Sequence, residues 1–235
     1  ASVLNDLVAR PSQCVEDYDL DRAPGEVEPF HNFLLALPSQ LQAAVGPVPR
    51  LMTGCDFHFN EPNLQLLFKD PQRYTINQKN YLLIELNDFA IPPNIEDTLH
   101  HLQLLGIAPI LTHPERNPIL ADQPDLIAKW IGLGCLVQVT AGSVTGRFGK
   151  RAHRSTQTML KRNMVHFIAT DAHNLTTRPP VLSEARETIA REFSSEVATA
   201  LSESNPRATI EGRPIPWHPQ PQTEARRGWL SFFRK

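Results

Sequence analysis

The amino-acid sequence predicts an α/β protein built as a β/α barrel, and two patterns lead to that prediction. Short apolar, β-branched runs alternate along the chain with amphipathic stretches that carry residues typical of helix starts and stops. Such alternation is typical of parallel strands that are joined by helices. The chain has 235 residues, 41% of them hydrophobic, which is enough for one domain of this class.

Four runs are rich enough in branched apolar residues to be predicted as buried strands, and a fifth run is weaker. The four strong predictions are Tyr81–Leu86, Ile107–Thr112, Cys135–Thr140 and Val165–Thr170, and the weaker one is Leu51–Phe57.

The helices are predicted from capping residues and from the spacing of apolar side chains. Asn94 is placed to cap a helix that Gly106 ends, and its apolar face is formed by Ile95, Leu99, Leu102 and Leu105. Pro124 suits the first turn of the next helix, and Gly134 suits its end. Further helices are predicted at Lys150–Arg162 and Val181–Phe193, and another at Phe30–Leu37 after the irregular polar stretch Arg10–Glu28.

The domain prediction is a barrel over residues 1–212 and a tail over residues 213–235. Four prolines between residues 213 and 224 favour an extended chain. The last ten residues combine four large apolar side chains with basic neighbours; the apolar ones are Trp229, Leu230, Phe232 and Phe233. Such a tail can make a weak contact with a partner or an anionic membrane, or it can fold back onto the barrel.

Bulk properties exclude some classes of protein and set an expected compartment. The net charge of −2 gives no basic footprint for nucleic acid. The three cysteines are widely spaced, which predicts reduced thiols rather than a disulfide framework. The sequence has neither a basic leader with a long apolar stretch nor an apolar run of the roughly 20 residues that span a bilayer. We therefore expect a cytoplasmic protein.

Polar residues of metal-binding types fall where the predicted strands end. Glu85 ends one strand, His113 follows the next, and Asp171 and His173 follow the last. Taken singly, each is more often a helix cap or a hydrogen-bonded structural residue. Side chains at the carboxyl ends of parallel strands converge on one face, however, and carboxylate with imidazole suits Zn, Mn or Fe. If the last strand stayed extended, alternation would direct Asp171 and His173 to the same side.

Two arginines lie close to these residues in sequence. Arg116 is three residues past His113, and Arg178 is five residues past His173. A guanidinium can hold an anionic group such as phosphate through paired hydrogen bonds, although a surface arginine, or one paired with Glu115, is the simpler alternative. No cysteine has an arginine six positions later, and neither a Walker-type loop nor a G-x-S-x-G elbow occurs. The sequence therefore carries no motif of a thiol phosphatase, a P-loop enzyme or an α/β-hydrolase.

Several segments in fixed order resemble the polymerase and histidinol phosphatase (PHP) superfamily. They read Y-L-L-I-E, T-H-P-E-R-N, C-L-V-Q-V-T-A-G-S and A-T-D-A-H-N, the last followed by R-P-P, with a late N-P-R at residues 205–207. Within that superfamily the chain is most similar to manganese-dependent tyrosine phosphatases of bacterial capsular and exopolysaccharide loci. The resemblance implies a distorted seven-stranded barrel that binds two or three divalent ions, Mn first and Fe or Zn otherwise. It also implies a bacterial tyrosine kinase of polysaccharide export as the phosphotyrosine-bearing partner.

Carried over position by position, the resemblance assigns five metal ligands and two catalytic arginines. The ligands are Asp56, Glu85, His113, Asp171 and His173, where Asp56 stands in place of the usual glutamate, and the arginines that hold phosphate are Arg116 and Arg178. The sequence departs from the family at its start, because the expected His-x-His, Asp-Asp-Gly and Thr-Pro-His segments do not occur; the last would fall near residues 10–14. Either the N-terminal strands are missing or the cluster has diverged. A phosphoesterase for small esters and a non-catalytic barrel that binds the kinase remain alternatives.

Overall fold

A computed structural model describes residue 52 and residues 54–222, and within them the strands form one five-stranded sheet in the order β1-β2-β3-β4-β5. All four neighbouring pairs are parallel. The strands are β1 (Asp56–His58), β2 (Tyr81–Glu85), β3 (Ala108–Thr112), β4 (Leu136–Thr140) and β5 (Phe167–Ala169).

Eight α-helices connect these strands or follow them in the described residues. They are α1 (Glu61–Lys69), α2 (Ile95–Leu104), α3 (Pro124–Gly132), α4 (Ala141–Val144), α5 (Gly149–Lys161), α6 (Ser183–Glu192), α7 (Ser195–Thr199) and α8 (Asn205–Glu211). A π-helical segment, Ala200–Ser204, joins the last two, and short 3-10 turns lie at Pro71–Tyr74, Ile76–Gln78 and Leu120–Asp122. In this part of the chain no helix combines the length and the hydropathy that crossing a bilayer requires.

The parallel α/β class predicted from the sequence is confirmed, whereas closure into a barrel is not. Between residues 54 and 222 the sheet has five strands, and β1 and β5 are its two edges. Each described strand is also shorter than predicted, with β5 reduced to Phe167–Ala169. The apolar runs overestimate the strand lengths because they indicate which residues are buried. Residues beyond the ends of a strand are also buried, although they do not pair with a neighbouring strand. The predicted helix at Phe30–Leu37 and the apolar tail residues 229–233 lie outside the described residues.

The first crossover helix shows two local differences from the prediction. The side chain of Asn94 makes no capping hydrogen bond; instead its backbone carbonyl accepts from the Thr98 amide at 3.0 Å. Leu105 is 45% exposed rather than part of the apolar face, because the helix ends at Leu104. Gly106 follows with φ of 73°, a left-handed conformation that glycine adopts without strain. The chain turns there into β3.

Side-chain alternation gives the sheet two different faces. Leu82, Ile84 and Leu111 face the helices and join the large core, in which Trp130 is 1% exposed. The other face carries a smaller apolar cluster that contains Tyr81 and neighbours from the next strands: Ile110, Leu136 and Phe167. Residues in phase with Tyr81 along β2 end at Glu85. The candidate site therefore lies above the smaller cluster, at the carboxyl ends of the strands.

The proline-rich segment 213–222 is hydrogen-bonded to the body of the protein. The Tyr81 hydroxyl donates to the Arg213 carbonyl at 2.8 Å, and the Gln222 amide donates to the Arg162 carbonyl at 2.8 Å. Asn205 donates to the Trp217 carbonyl at 2.8 Å and accepts from its amide at 3.0 Å. These bonds hold the segment near the amino ends of the strands, opposite to the candidate site.

Candidate metal centre

The first residue of β1, the last residue of β2 and the residue after β3 bring two carboxylates and an imidazole together. His113 Nε2 lies 3.4 Å from Glu85 Oε1 and 3.9 Å from Asp56 Oδ2. One ligand atom from each of the three residues lies within 4.8 Å of the others. Three residues far apart in sequence thus form a group that could hold a metal ion.

Local backbone geometry places each of these side chains. Asp56 is the first residue of β1 and Glu85 the last of β2, and both lie on the sheet face of the smaller apolar cluster. His113 follows β3 directly with φ of 32°, so the chain leaves the strand in a conformation that few non-glycine residues adopt. Backbone strain of this kind concentrates at functional sites. The Thr112 hydroxyl lies 3.2 Å from Asp56 Oδ1 and 3.1 Å from the Ile84 carbonyl oxygen, so its one proton is within hydrogen-bonding distance of both acceptors.

The electrostatics of the cluster fit a divalent cation. Burial raises the pKa of Asp56, and the neighbouring Glu85 carboxylate raises it further. Burial also raises the pKa of Glu85, with Asp171 adding to the rise and His58 opposing it. The pKa of His113 is lowered, first by burial and then by Arg116. The free cluster therefore disfavours its own ionised carboxylates, and bound positive charge would offset that cost. Carboxylate oxygen with neutral imidazole nitrogen is a ligand set for Mn, Fe or Zn.

Asp171 and His173 lie in the loop after β5. The predicted strand alternation is not what places them near the metal-binding cluster. Because β5 ends at Ala169, strand alternation does not orient these two side chains. Asp171 instead adopts a left-handed backbone with φ of 50°. His173 Nδ1 lies 3.0 Å from the Asp171 carbonyl oxygen and 3.7 Å from its Oδ1. The two residues form a pair beside the cluster of Asp56, Glu85 and His113.

Asp171 is the meeting point of the two arginines. Arg116 and Arg178 both donate to its Oδ2. Burial opposes ionisation of Asp171, but the two guanidinium groups outweigh it and hold the pKa of this carboxyl below its usual value. Arg116 therefore pairs with Asp171 and not with Glu115, the alternative that the sequence left open.

A pocket opens beside Glu85, His113 and Arg116. It is lined by groups from the ends of β2 and β3 and from the loop after β3: Glu85, Asp88, Thr112, His113, Arg116 and Asn117. Its lining is mostly polar and combines acidic, imidazole and guanidinium groups. An anionic ligand there would meet both a metal-binding cluster and positively charged donors.

Sequence reasoning missed three residues that shape this region. His58 Nε2 lies 3.1 Å from Glu85 Oε2. Alternation could have identified it, because His58 is two residues past Asp56 on the same strand. The buried Glu115 accepts from the Thr140 amide at 2.9 Å and from the Ser143 hydroxyl at 2.7 Å, which ties the loop after β3 to the end of β4. Phe148 packs under both arginines, and nothing in its local sequence marks that contact.

Together these features define a parallel α/β protein with a carboxylate–histidine cluster facing two arginines. The chain belongs to the family described as "Capsular polysaccharide synthesis, CpsB/CapC", whose sequence model matches residues 22–211. This match confirms the resemblance that the motifs predicted.

Individual relatives agree with that assignment. The chain is 35% identical over 162 residues to the tyrosine-protein phosphatase YwqE of Bacillus subtilis, a match that covers 69% of this chain and 63% of that protein. It is 40% identical over 109 residues to the putative tyrosine-protein phosphatase CapC of Staphylococcus aureus, covering 46% of this chain and 43% of that protein. It is 31% identical over 175 residues to the tyrosine-protein phosphatase CpsB of Streptococcus agalactiae, covering 71% and 70% respectively. The chain thus spans less than two thirds of the first two relatives.

A solved structure is similar in fold as well as in sequence. It comes from crystal structures of YwqE from Bacillus subtilis and CpsB from Streptococcus pneumoniae, described as unique metal-dependent tyrosine phosphatases. The TM-score is 0.74 at 29% identity, and the superposition covers 81% of this chain and 76% of the other.

Proposed function

We propose that this protein is a metal-dependent phosphatase that hydrolyses protein phosphotyrosine. The observation that carries the proposal is the placement of Asp56, Glu85 and His113 within 4.8 Å of one another, beside a pocket that Arg116 also lines. Such a site combines ligands for a cation with donors for an anion, which is what hydrolysis of a phosphate monoester requires. The named activities of the relatives support the same assignment.

The metal ligands in this proposal form two groups. Asp56, Glu85 and His113 would hold one ion, and Asp171 with His173 would contribute to a second; the family resemblance implies two or three ions in a complete site. The oxygen and imidazole nitrogen donors suit Mn, Fe or Zn, and the family resemblance makes Mn the first choice. When bound, such ions supply Lewis acidity to the phosphate ester and to the water that attacks it.

The arginines supply the anion-binding half of the site. Arg116 and Arg178 already converge on one carboxylate oxygen, Asp171 Oδ2, so their guanidinium groups can reach a single anionic centre together. On a substrate they hold the non-bridging phosphate oxygens and stabilise the charge that develops there as water adds to phosphorus and the tyrosine oxygen departs. Neither arginine loses a proton in this role.

The rest of the proposed protein follows the family expectation. Residues 1–212 belong to one PHP-type β/α domain in this proposal, and residues 213–235 are its linker and tail. The partner is a phosphotyrosine-bearing bacterial tyrosine kinase of polysaccharide synthesis, met in the cytoplasm, with the tail as a further weak contact. The −2 net charge supports a protein partner rather than nucleic acid.

The test is hydrolysis of a phosphotyrosine peptide by the purified chain. Activity is measured after chelation and again after addition of Mn, Fe or Zn, with a phosphoserine peptide and a sugar phosphate as comparison substrates. We expect turnover of the phosphotyrosine peptide that requires added metal. Faster turnover of the sugar phosphate would instead indicate a phosphoesterase for small esters. Metal uptake and kinase binding without turnover of any substrate would indicate the non-catalytic barrel.

A further inference from the structure

We propose that Phe148 is a positioning residue for phosphate binding, because its aromatic ring holds Arg116 and Arg178 side by side. The inference rests on the proposed function, in which these two arginines bind the phosphate. It concerns a residue that takes no part in metal binding and has no chemistry of its own.

The geometry places one ring against two guanidinium groups. Arg116 Cζ lies 4.6 Å from the centroid of the Phe148 ring, and Arg178 Cζ lies 5.8 Å from it. Both distances fall within the roughly 6 Å over which a cation is attracted to an aromatic face. Two guanidinium groups at one point repel each other, and Asp171 supplies the only carboxylate that both contact in the described residues. The Phe148 ring adds an uncharged attraction that does not compete with phosphate for the arginine N–H groups.

Phe148 lies against both arginines and is not a candidate metal ligand. Asp171 must turn an oxygen toward a cation to serve as a ligand, and phosphate must share the arginine donors that now bind Asp171. The ring can therefore keep the guanidinium groups in place while their hydrogen-bond partners change. The half-buried Phe148 also lines a side pocket together with Arg178 and Gly142.

Gly142 provides the space in which the ring lies. A Cβ atom added at Gly142 would stand 2.6 Å from Phe148 Cε2 and 2.8 Å from Cδ2. Both distances are far inside van der Waals contact, so any larger residue would displace the ring. Glu115 connects the segment that carries Arg116 to the segment that carries Gly142. It precedes Arg116 in sequence, and it accepts hydrogen bonds from the Thr140 amide and the Ser143 hydroxyl, which lie on either side of Gly142.

The test combines two single variants and their double variant. Phe148→Leu keeps an apolar side chain but removes the aromatic face, whereas Gly142→Ala keeps the ring but moves it. Each is measured for the inhibition constant of inorganic phosphate, for KM and kcat on an aryl phosphate with Mn, and for metal content and thermal stability. Calorimetric titration of the Mn-loaded protein with phosphate gives a binding value that does not depend on turnover.

We expect Phe148→Leu to weaken phosphate binding about tenfold, the loss of two cation–π contacts of roughly 0.5–1 kcal/mol each. The phosphate inhibition constant and KM should rise together, with metal content unchanged. Gly142→Ala should give a smaller rise in the same direction, and the double variant should match Phe148→Leu alone, because no ring remains to be displaced. Addition of the two single effects in the double variant would contradict the role of Gly142.

The outcomes separate this inference from the proposed function. A wild-type protein that neither hydrolyses the aryl phosphate nor binds phosphate would refute the proposed function. An active wild-type protein together with a Phe148→Leu variant of unchanged phosphate affinity would refute the positioning role alone. Loss of metal or of folding in Phe148→Leu, with phosphate affinity intact in Gly142→Ala, would identify the ring as a packing residue and would also refute the inference.

Discussion

The two ends of the parallel sheet bury polar groups in opposite ways. At the carboxyl end, burial and neighbouring carboxylates raise the pKa of both Asp56 and Glu85, and two arginines donate hydrogen bonds to Asp171. At the amino end, the fully buried Asn205 is neutral and makes hydrogen bonds to the His166 carbonyl and to both backbone groups of Trp217. Satisfied neutral groups stabilise a fold, whereas carboxylates buried close to one another destabilise it until a positive charge binds between them. The carboxyl end is therefore built for binding and the amino end for stability.

The largest expected effect comes from the carboxyl end. Glu85→Gln should lower kcat/KM for an aryl phosphate by on the order of a thousandfold, since metal catalysis supplies several kcal/mol. The metal-free variant should be at least as stable as wild type, because burial already disfavours the Glu85 carboxylate. Steady-state kinetics and thermal unfolding check both statements. Glu187→Gln, an exposed change on α6, is the matched control. A large loss of stability in Glu85→Gln would show that this end, too, holds the fold together.

Arg116→Ala separates anion binding from metal binding within the same end. We expect kcat/KM to fall about a hundredfold, the effect of removing one donor from developing charge. Metal content, measured by atomic emission, should stay at the wild-type value because Arg116 binds anions. Arg151→Ala removes a surface arginine that pairs with Asp122 and should change neither quantity. If the Arg116 variant loses metal as well as activity, the residue has a structural role instead.

Asn205→Ala should lower the stability of the fold without changing the activity of the candidate site. Three buried hydrogen bonds disappear, and at about 1 kcal/mol each the free energy of unfolding should fall by ~3 kcal/mol. Activity per folded molecule should be unchanged, since Asn205 lies at the opposite end of the sheet from the candidate site. Urea unfolding and kinetics test the pair of statements, with the exposed Arg207→Ala on the same helix as control. A folded but inactive Asn205→Ala protein would break the division between the two ends.

His166 gives the amino end a pH dependence. Burial, followed by the nearby His218, lowers the pKa of His166 from 6.5 to about 3. His166 therefore becomes protonated near pH 6.5 in the unfolded chain but stays neutral in the folded protein. The free energy of unfolding consequently falls as the pH drops from 6.5 toward 3. Between pH 6.5 and pH 5 the loss from this one group should be about 2 kcal/mol. Urea unfolding at both pH values should show a smaller loss for His166→Gln than for wild type, and equal losses would contradict the assignment.

Much of the scaffold was predictable from local sequence. Strand positions followed from apolar runs, and the end of α2 followed from Gly106, because these signals depend on a few neighbouring residues. Strand lengths were overestimated, because the number of residues that pair depends on the length and position of the neighbouring strand. The face of β2 that carries Glu85 follows from alternation alone. The turn that places Asp171 could not be predicted, because its backbone is left-handed and its side chain accepts from Arg116, 55 positions away.

The sequence by itself determined which residue types end the parallel strands, and thereby the class of chemistry. Tertiary structure decided how those residues pair. Arg116 bonds Asp171, 55 positions away, rather than its neighbour Glu115, which is directed instead to Thr140 and Ser143. Phe148, in the turn after α4, lies beneath two arginines that come from the loops after β3 and β5. The spacing of apolar residues specifies which face of a strand or helix is buried. Which residues from distant parts of the chain meet at the carboxyl end of the sheet depends on how the elements pack together.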